Sequence, residues 1–194
     1  MERRDFLKGA AGIGAATAVV AQAAETKKAA EKLLPGDIVV ERPGSDFMVD
    51  VIKTLGFEYV ATNPGSSFRS LHESLVNYGG NTKPELLTCL HEESAVGIAH
   101  GYAKVSGKPM SVMVHGTVGL QHAAMAIYNA WCDRVPVYII AGNGLDANKR
   151  RPGTEWNHSV QDAALMVRDY VKWDDYPMSL QHFADSAKCW SDIG

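Results

Sequence analysis

The sequence predicts an α/β fold, a parallel sheet with helices on both faces. Three observations carry that expectation. Short apolar runs alternate with longer amphipathic segments, the signature of βαβ units. Gly, Pro, Asn and Ser cluster at the joints between them, as in Asn63-Pro64-Gly65-Ser66 and Ser106-Gly107-Lys108-Pro109. Finally, Val135–Ala141 is an apolar run interrupted only by Pro136, as expected for a strand covered on both faces.

The elements follow in order. A helix is predicted over Ser45–Leu55, with Ser45 as its N-cap, Phe47, Met48, Val51, Ile52 and Leu55 on one face, and Gly56 ending it. Tyr59–Thr62 reads as a short strand and Phe68–Tyr78 as a helix that stops at Gly79-Gly80. Glu85–Leu90 is the next strand, followed by a helix over Glu92–Val105. Met110–Val114 is a third strand, Gly119–Trp131 the helix after it, and Val135–Ala141 the fourth strand. A last helix is expected over Ser179–Trp190. In sheets of this kind ligands bind where strands end at their carboxyl side and the chain turns into the next helix. That rule selects Asn63–Ser67, His91–Ser94, His115–Gly119 and Gly142–Asp146.

Composition narrows the function classes. The 194 residues are 46% hydrophobic and 21% charged, ordinary globular values that exclude a disordered chain. A formal net charge of −3 gives no basic footprint for a nucleic-acid partner. Three separated cysteines, Cys89, Cys132 and Cys189, build neither a closed disulfide framework nor a Cys-rich zinc site.

The first 23 residues read as an address. Arg3-Arg4 precedes Phe6-Leu7-Lys8, an uncharged Ala/Gly-rich run follows, and Ala21-Gln22-Ala23 offers a small-residue cleavage site. The pattern resembles a twin-arginine signal peptide, which implies the twin-arginine export machinery as a partner and a periplasmic destination. The run is a poor membrane span, which needs about 20 strongly apolar residues. Residues 24–36 form an exposed lead-in, and 37–194 the folded domain.

Several motifs fail on spacing. His91-Glu92 lacks a second histidine four residues on, where Ala95 stands, so no zinc-protease helix is present. Gly65-Ser66-Ser67 is not a nucleophile elbow. Gly142-Asn143-Gly144 is only a partial match to a dinucleotide turn, and Lys149-Arg150-Arg151 reads as a solvated loop. Asn157-His158-Ser159 fits a glycosylation sequon, which the bacterial-type export signal makes irrelevant. Glu92 is different, because it stands where an apolar strand enters a helix. Burial there raises its pKa while the helix N-terminus lowers it, the balance of a carboxylate that shares a proton with a ligand. The alternative is a glutamate placed there by the dipole alone.

His91-Glu92-Glu93-Ser94-Ala95, with Gly101–Pro109 behind it, resembles a known pattern, the His-Glu-x-x-Ala and Gly-Tyr-Ala-Arg-x-Ser-Gly-Lys-Pro of thiamine diphosphate-dependent enzymes. The region from Asp37 to Trp173 is similar to their N-terminal, pyrimidine-binding domain, acetolactate synthase and benzoylformate decarboxylase being nearest in pattern. The resemblance implies thiamine diphosphate as cofactor and a 2-oxo acid as substrate, undergoing decarboxylation or carboligation. It implies that Glu92 bonds N1′ of the aminopyrimidine, and that Pro64, in the cofactor-proximal turn, lies beside the cofactor. Relatives often carry Asn where this chain has His122, so His122 and the neighbouring Gln121 are both candidates for a pyrimidine contact. His115, after the third strand, matches a proton-transfer histidine of the decarboxylases, the alternative being a hydrogen-bonded core imidazole. Ser66 is a candidate for the substrate carboxylate, or else caps the next helix.

The family's Gly-Asp-Gly…Asn-Asn signature for diphosphate and Mg2+ does not occur here, so those ligands are expected in a C-terminal domain outside this sequence. The expectation is an incomplete pyrimidine-type domain, completed by a homo-oligomer or by a diphosphate-domain partner. The alternatives are the pyrimidine subunit of a split enzyme and a non-catalytic binding or assembly domain.

Overall fold

A computed structural model describes residues 41–143 and 160–193. The leader, the lead-in, Gly144–Asp146, the basic run at 149–151 and the sequon at 157–159 lie outside the described residues. The elements are α1 (Gly44–Thr54), β1 (Tyr59–Thr62), α2 (Arg69–Val76), β2 (Glu85–Thr88), α3 (Glu92–Ser106), β3 (Met110–Val114), α4 (Thr117–Cys132), β4 (Val137–Ala141) and α5 (Leu180–Ile193). Short 3-10 turns occupy Ser66–Phe68, Ala163–Met166 and Arg168–Tyr170.

The described strands form one parallel sheet in the order β2-β1-β3-β4. Val60 pairs with both Leu86 and Ser111, and Val112 with Ile139, so the strand ends line up along one edge. Alternation along each strand sorts side chains between two cores. Ala61, Met110, Val112, Val114 and Ile139 pack with Ala95, Val96 and Ala99 of α3 and with Leu120, Ala123 and Ile127 of α4. Val60, Met113, Tyr138 and Ile140 face the other way, onto Val49 and Ile52 of α1, Leu71 and Leu75 of α2, and Phe183 of α5. Each such aliphatic side chain, fully buried, contributes about 1.5–3 kcal/mol. The helices therefore cover both faces, as the sequence predicts.

Boundaries differ where local chemistry overrides periodicity. Pro43, at φ −66°, takes the N-cap position of α1, and Ser45 lies buried inside the first turn. Ser74 Oγ stands 2.8 Å from both Ser45 Oγ and Asp46 Oδ1, so Ser45 ties α1 to α2 instead of capping. The predicted Phe68–Tyr78 helix is observed over Arg69–Val76, because Phe68 at φ −127° ends a 3-10 turn and takes the N-cap position of α2. β4 starts two residues later than predicted, after Pro136, which has no N–H to give to a ladder. It is also one of the two edge strands of the described sheet and only half-buried, whereas β3 is buried at every position. An apolar run reports hydrophobicity; it does not say whether a strand sits at the centre or the edge. α3 ends as predicted, with Gly107 at φ +71° in the left-handed conformation that closes a helix. Ser179 Oγ accepts the His182 N–H at 3.1 Å and caps α5.

Candidate functional site

The carboxyl ends of β1 and β3 meet the starts of α3 and α4. Thr62 Oγ1 donates to the Met113 carbonyl at 2.8 Å, and the Cys89 N–H donates to the Thr62 carbonyl at 2.7 Å. These bonds hold the tips of β1 and β3 together and lead the chain after β2 past them. His91, in extended conformation at φ −144°, then turns the chain into α3 with Glu92 as its first residue. Glu92 is only 6% exposed, while Glu93 beside it faces solvent.

α4 lies directly over this carboxylate because position 119 has no side chain. A Cβ on Gly119 would stand 2.9 Å from Glu92 Oε1 and 3.0 Å from His115 Cβ. One helical turn further, His122 brings Nδ1 to 3.1 Å from Glu92 Oε2. Its other nitrogen stands 3.9 Å from Glu93 Oε2, and the His91 ring meets it edge-on at 5.2 Å. Burial pushes the Glu92 carboxyl upward. Hydrogen bonds from His122, from its own backbone N–H and from Asn63, with the charge of His122, more than offset that and hold it below the usual carboxylate range. Burial raises the carboxyl as expected from sequence, but the opposing effect comes first from His122, with the backbone N–H at the helix start contributing after it.

On the other side of Gly119 lies His115, the residue after β3. Its Nδ1 is 2.8 Å from Ser67 Oγ, which also accepts the Gly116 N–H at 3.0 Å. Gly65 permits the approach, since a Cβ there would stand 2.7 Å from His115 Nδ1. Gly142, at the end of β4, likewise leaves room for Ser67.

The structure thus gathers Glu92, His115 and His122 around Gly119. Ser66 is exposed at the start of the 3-10 turn; Gly65 holds the N-cap position without a side-chain cap bond, so the capping alternative for Ser66 is corrected. Pro64 is exposed in the same turn, and Gln121 is exposed on α4, where His122 rather than Gln121 reaches Glu92. Asn63 and Ser67 are further functional candidates: the sequence selects the segment Asn63–Ser67 that holds them but singles out neither residue. The one available signal was their place in a polar turn at a strand end. Among the described residues no group of three or more His, Cys, Asp or Glu is arranged to hold a metal ion, and no helix is long and apolar enough to cross a membrane.

Residues 42–164 match the thiamine pyrophosphate enzyme N-terminal TPP binding domain, and residues 1–20 match the twin-arginine translocation pathway signal sequence. The chain belongs to the thiamine pyrophosphate enzymes by this N-terminal domain. It is 30% identical over 146 residues to the acetolactate synthase large subunit of Lactococcus lactis, a match covering 68% of this chain and 25% of that protein. Over 92 residues it is 34% identical to benzoylformate decarboxylase of Pseudomonas aeruginosa, covering 47% of this chain and 17% of the relative. The solved 4-hydroxybenzoylformate decarboxylase of Rhodococcus jostii has the same fold, with a TM-score of 0.63 at 24% identity over 76% of this chain and 27% of that one. The chain therefore spans about a quarter of the length of these relatives or less.

Proposed function

We propose that this chain supplies the aminopyrimidine half of a thiamine diphosphate site in an exported enzyme that decarboxylates or carboligates 2-oxo acids. The observation that carries the reading is the Glu92 carboxylate, 6% exposed yet held in its charged form, roofed by a glycine at the strand ends. A ring nitrogen that must gain a proton needs such a group, shielded from water and able to share a hydrogen bond. The donor set fits that half of the cofactor. It does not extend to the diphosphate or to Mg2+, whose ligands would come from a further domain or from a partner subunit.

When bound, thiamine diphosphate supplies an electron sink at the carbonyl carbon of the substrate. This chain's residues do the rest of the work on their side. The Glu92 carboxylate accepts a hydrogen bond from the protonated pyrimidine nitrogen and so stabilises it, while His122 at Oε2 and a hydrogen bond from Asn63 hold the carboxylate in place. His115 moves a proton to or from the substrate. Ser66, exposed at the mouth, accepts the task of meeting the substrate carboxylate, and Pro64 and Gln121 flank the cofactor. Folding before export by the twin-arginine route suits a protein that takes up its cofactor in the cytoplasm and works in the periplasm.

The test is Glu92→Gln in the protein complete with its diphosphate-binding part. The substitution keeps the shape and removes the proton-sharing carboxylate, so hydrogen–deuterium exchange at C2 of bound thiamine diphosphate is expected to fall by about 100-fold or more. Unchanged exchange overturns the assignment. Calorimetry gives a second readout: this chain alone is expected to bind thiamine diphosphate with Mg2+ weakly or not at all.

A further inference from the structure

To move a proton, His115 must present the same ring nitrogen each time. A neutral imidazole has one N–H and one bare nitrogen, and an acid/base group works reproducibly only if a partner decides which is which. Three observations identify that partner. Ser67 Oγ lies 2.8 Å from His115 Nδ1 and accepts the Gly116 N–H at 3.0 Å. Gly65 and Gly142 press on the pair from two sides, since a Cβ at 65 would strike the His115 ring and one at 142 would strike the Ser67 hydroxyl. The three segments involved are the turn after β1, the turn after β3 and the end of β4, so the clamp is built from separate parts of the chain.

The hydrogen count then follows. Gly116 fills one lone pair of Oγ, so the hydroxyl hydrogen can go to Nδ1 of the neutral ring, which places the ring proton on Nε2. When the ring is protonated, Nδ1–H can donate to the remaining lone pair after the hydroxyl rotates. A carboxylate in this place would hold the proton on Nδ1 in both charge states and so fix the opposite tautomer, and a backbone N–H would serve only the neutral ring. A hydroxyl serves both states. Resting on the reading of His115 as the proton-transfer group, we propose that Ser67 is its positioning residue: the hydroxyl holds Nδ1 in either protonation state and keeps the exchangeable proton at Nε2.

The test uses the full chain with 15N-labelled histidine rings, whose nitrogen shifts report tautomer and protonation as pH is varied. The other six histidines are internal controls of the fold. Native neutral His115 is expected to carry its proton on Nε2. In Ser67→Ala it is expected to become a mixture of tautomers, and Ser67→Thr, which keeps the hydroxyl, to restore the native pattern. A native ring protonated on Nδ1 overturns the proposal. So does an unchanged ring in Ser67→Ala while the six controls stay in place. If Ser67→Ala fails to fold and the controls collapse, the native spectrum decides alone, because it needs no substitution. In the complete protein loaded with thiamine diphosphate and Mg2+, with benzoylformate as probe, Ser67→Ala is expected to lower kcat about tenfold, within the range of a partly lost acid/base contribution. Should His115→Ala turn over as fast as the native protein while the tautomer behaves as expected, the error lies in the role given to His115 and not in its pairing with Ser67.

Discussion

His115 and His122 stand on opposite sides of Gly119, yet they are held by opposite kinds of partner. His122 is 43% exposed along its side chain and bonds the buried carboxylate of Glu92, with Glu93 beyond it. His115 is half-buried, and its Nδ1 meets a neutral hydroxyl, with glycines pressed against the pair. A carboxylate rewards an imidazole for being charged, whereas a hydroxyl accepts either state. One histidine thus bonds a buried carboxylate and the other a neutral hydroxyl, the difference on which the proposed division of roles rests. Surface access follows the same division: the ring at Glu92 lies toward solvent, and the ring at Ser67 is half-buried.

The largest effect expected from breaking this division is on His115. His115→Ala in the complete, cofactor-loaded protein should lower turnover of a 2-oxo acid by about 10²–10⁴-fold. Exchange at C2 of the cofactor, the step proposed for Glu92, should be nearly unaffected. A parallel loss of both in steady-state and exchange measurements would merge the two roles and end the distinction.

His122→Ala attacks the other side. Removing the leading hydrogen bond leaves burial to dominate at Glu92, so its carboxyl is expected to move up from its lowered position. The sign for stability is fixed by the direction. In the native chain the folded pKa lies below the unfolded one, so the contribution of Glu92 is complete above the unfolded value and disappears as pH falls through the folded one. In His122→Ala the charged form becomes the costly one, and stability should decline as pH rises through the raised pKa. Urea unfolding between pH 4 and 7 separates the two slopes, and a net loss of about 1–3 kcal/mol near neutrality is expected for a buried group left short of a partner. Identical pH slopes in both proteins would show that His122 does not hold the carboxylate.

Gly119→Ala tests the divider itself. Its Cβ would crowd Glu92 Oε1 and His115 Cβ together, so α4 must shift, at a cost of about 1–3 kcal/mol. Thermal melting followed by circular dichroism measures it, and an unchanged Tm would mean that the roof is looser than the geometry shows. The smallest effect belongs to Ser66→Ala. The residue is exposed and its neighbour Ser67 makes the bonds to His115 and Gly116, so stability should change by less than about 0.5 kcal/mol. An effect confined to KM for the 2-oxo acid would support Ser66 at the carboxylate, and no change in KM would remove it from the site.

Glu92 is legible in the sequence, because a carboxylate between an apolar strand and a helix start is a local pattern. The βαβ order and the Gly107 stop are legible for the same reason, since each depends on neighbours within a few positions; the buried face of α1 is legible only in part, because Phe47 of the predicted face is exposed and Val49, outside it, is fully buried. His115 comes into view through the family resemblance rather than through any property of its own surroundings. The polar turn Asn63–Ser67 is selected by its place at a strand end, but nothing local singles out Asn63 or Ser67 within it. Ser67 meets His115 across 48 positions of chain, and no periodicity carries information over that distance. Ser45 illustrates the converse: a residue type favoured at N-caps is instead drawn into a buried bond with Ser74, 29 positions away.

By itself the sequence determined the α/β class, the alternation of strands and helices, the export signal and the glutamate at the start of α3. These are fixed by local composition and by hydrophobic period, which act over one or two turns of chain. The tertiary structure alone decided that β3 is a central, fully buried strand and β4 an edge of the described sheet. It also decided that a glycine separates two histidines, and which oxygen each imidazole meets. Those choices depend on which strand ends come to rest side by side, and parallel pairing joins segments that the chain itself keeps far apart.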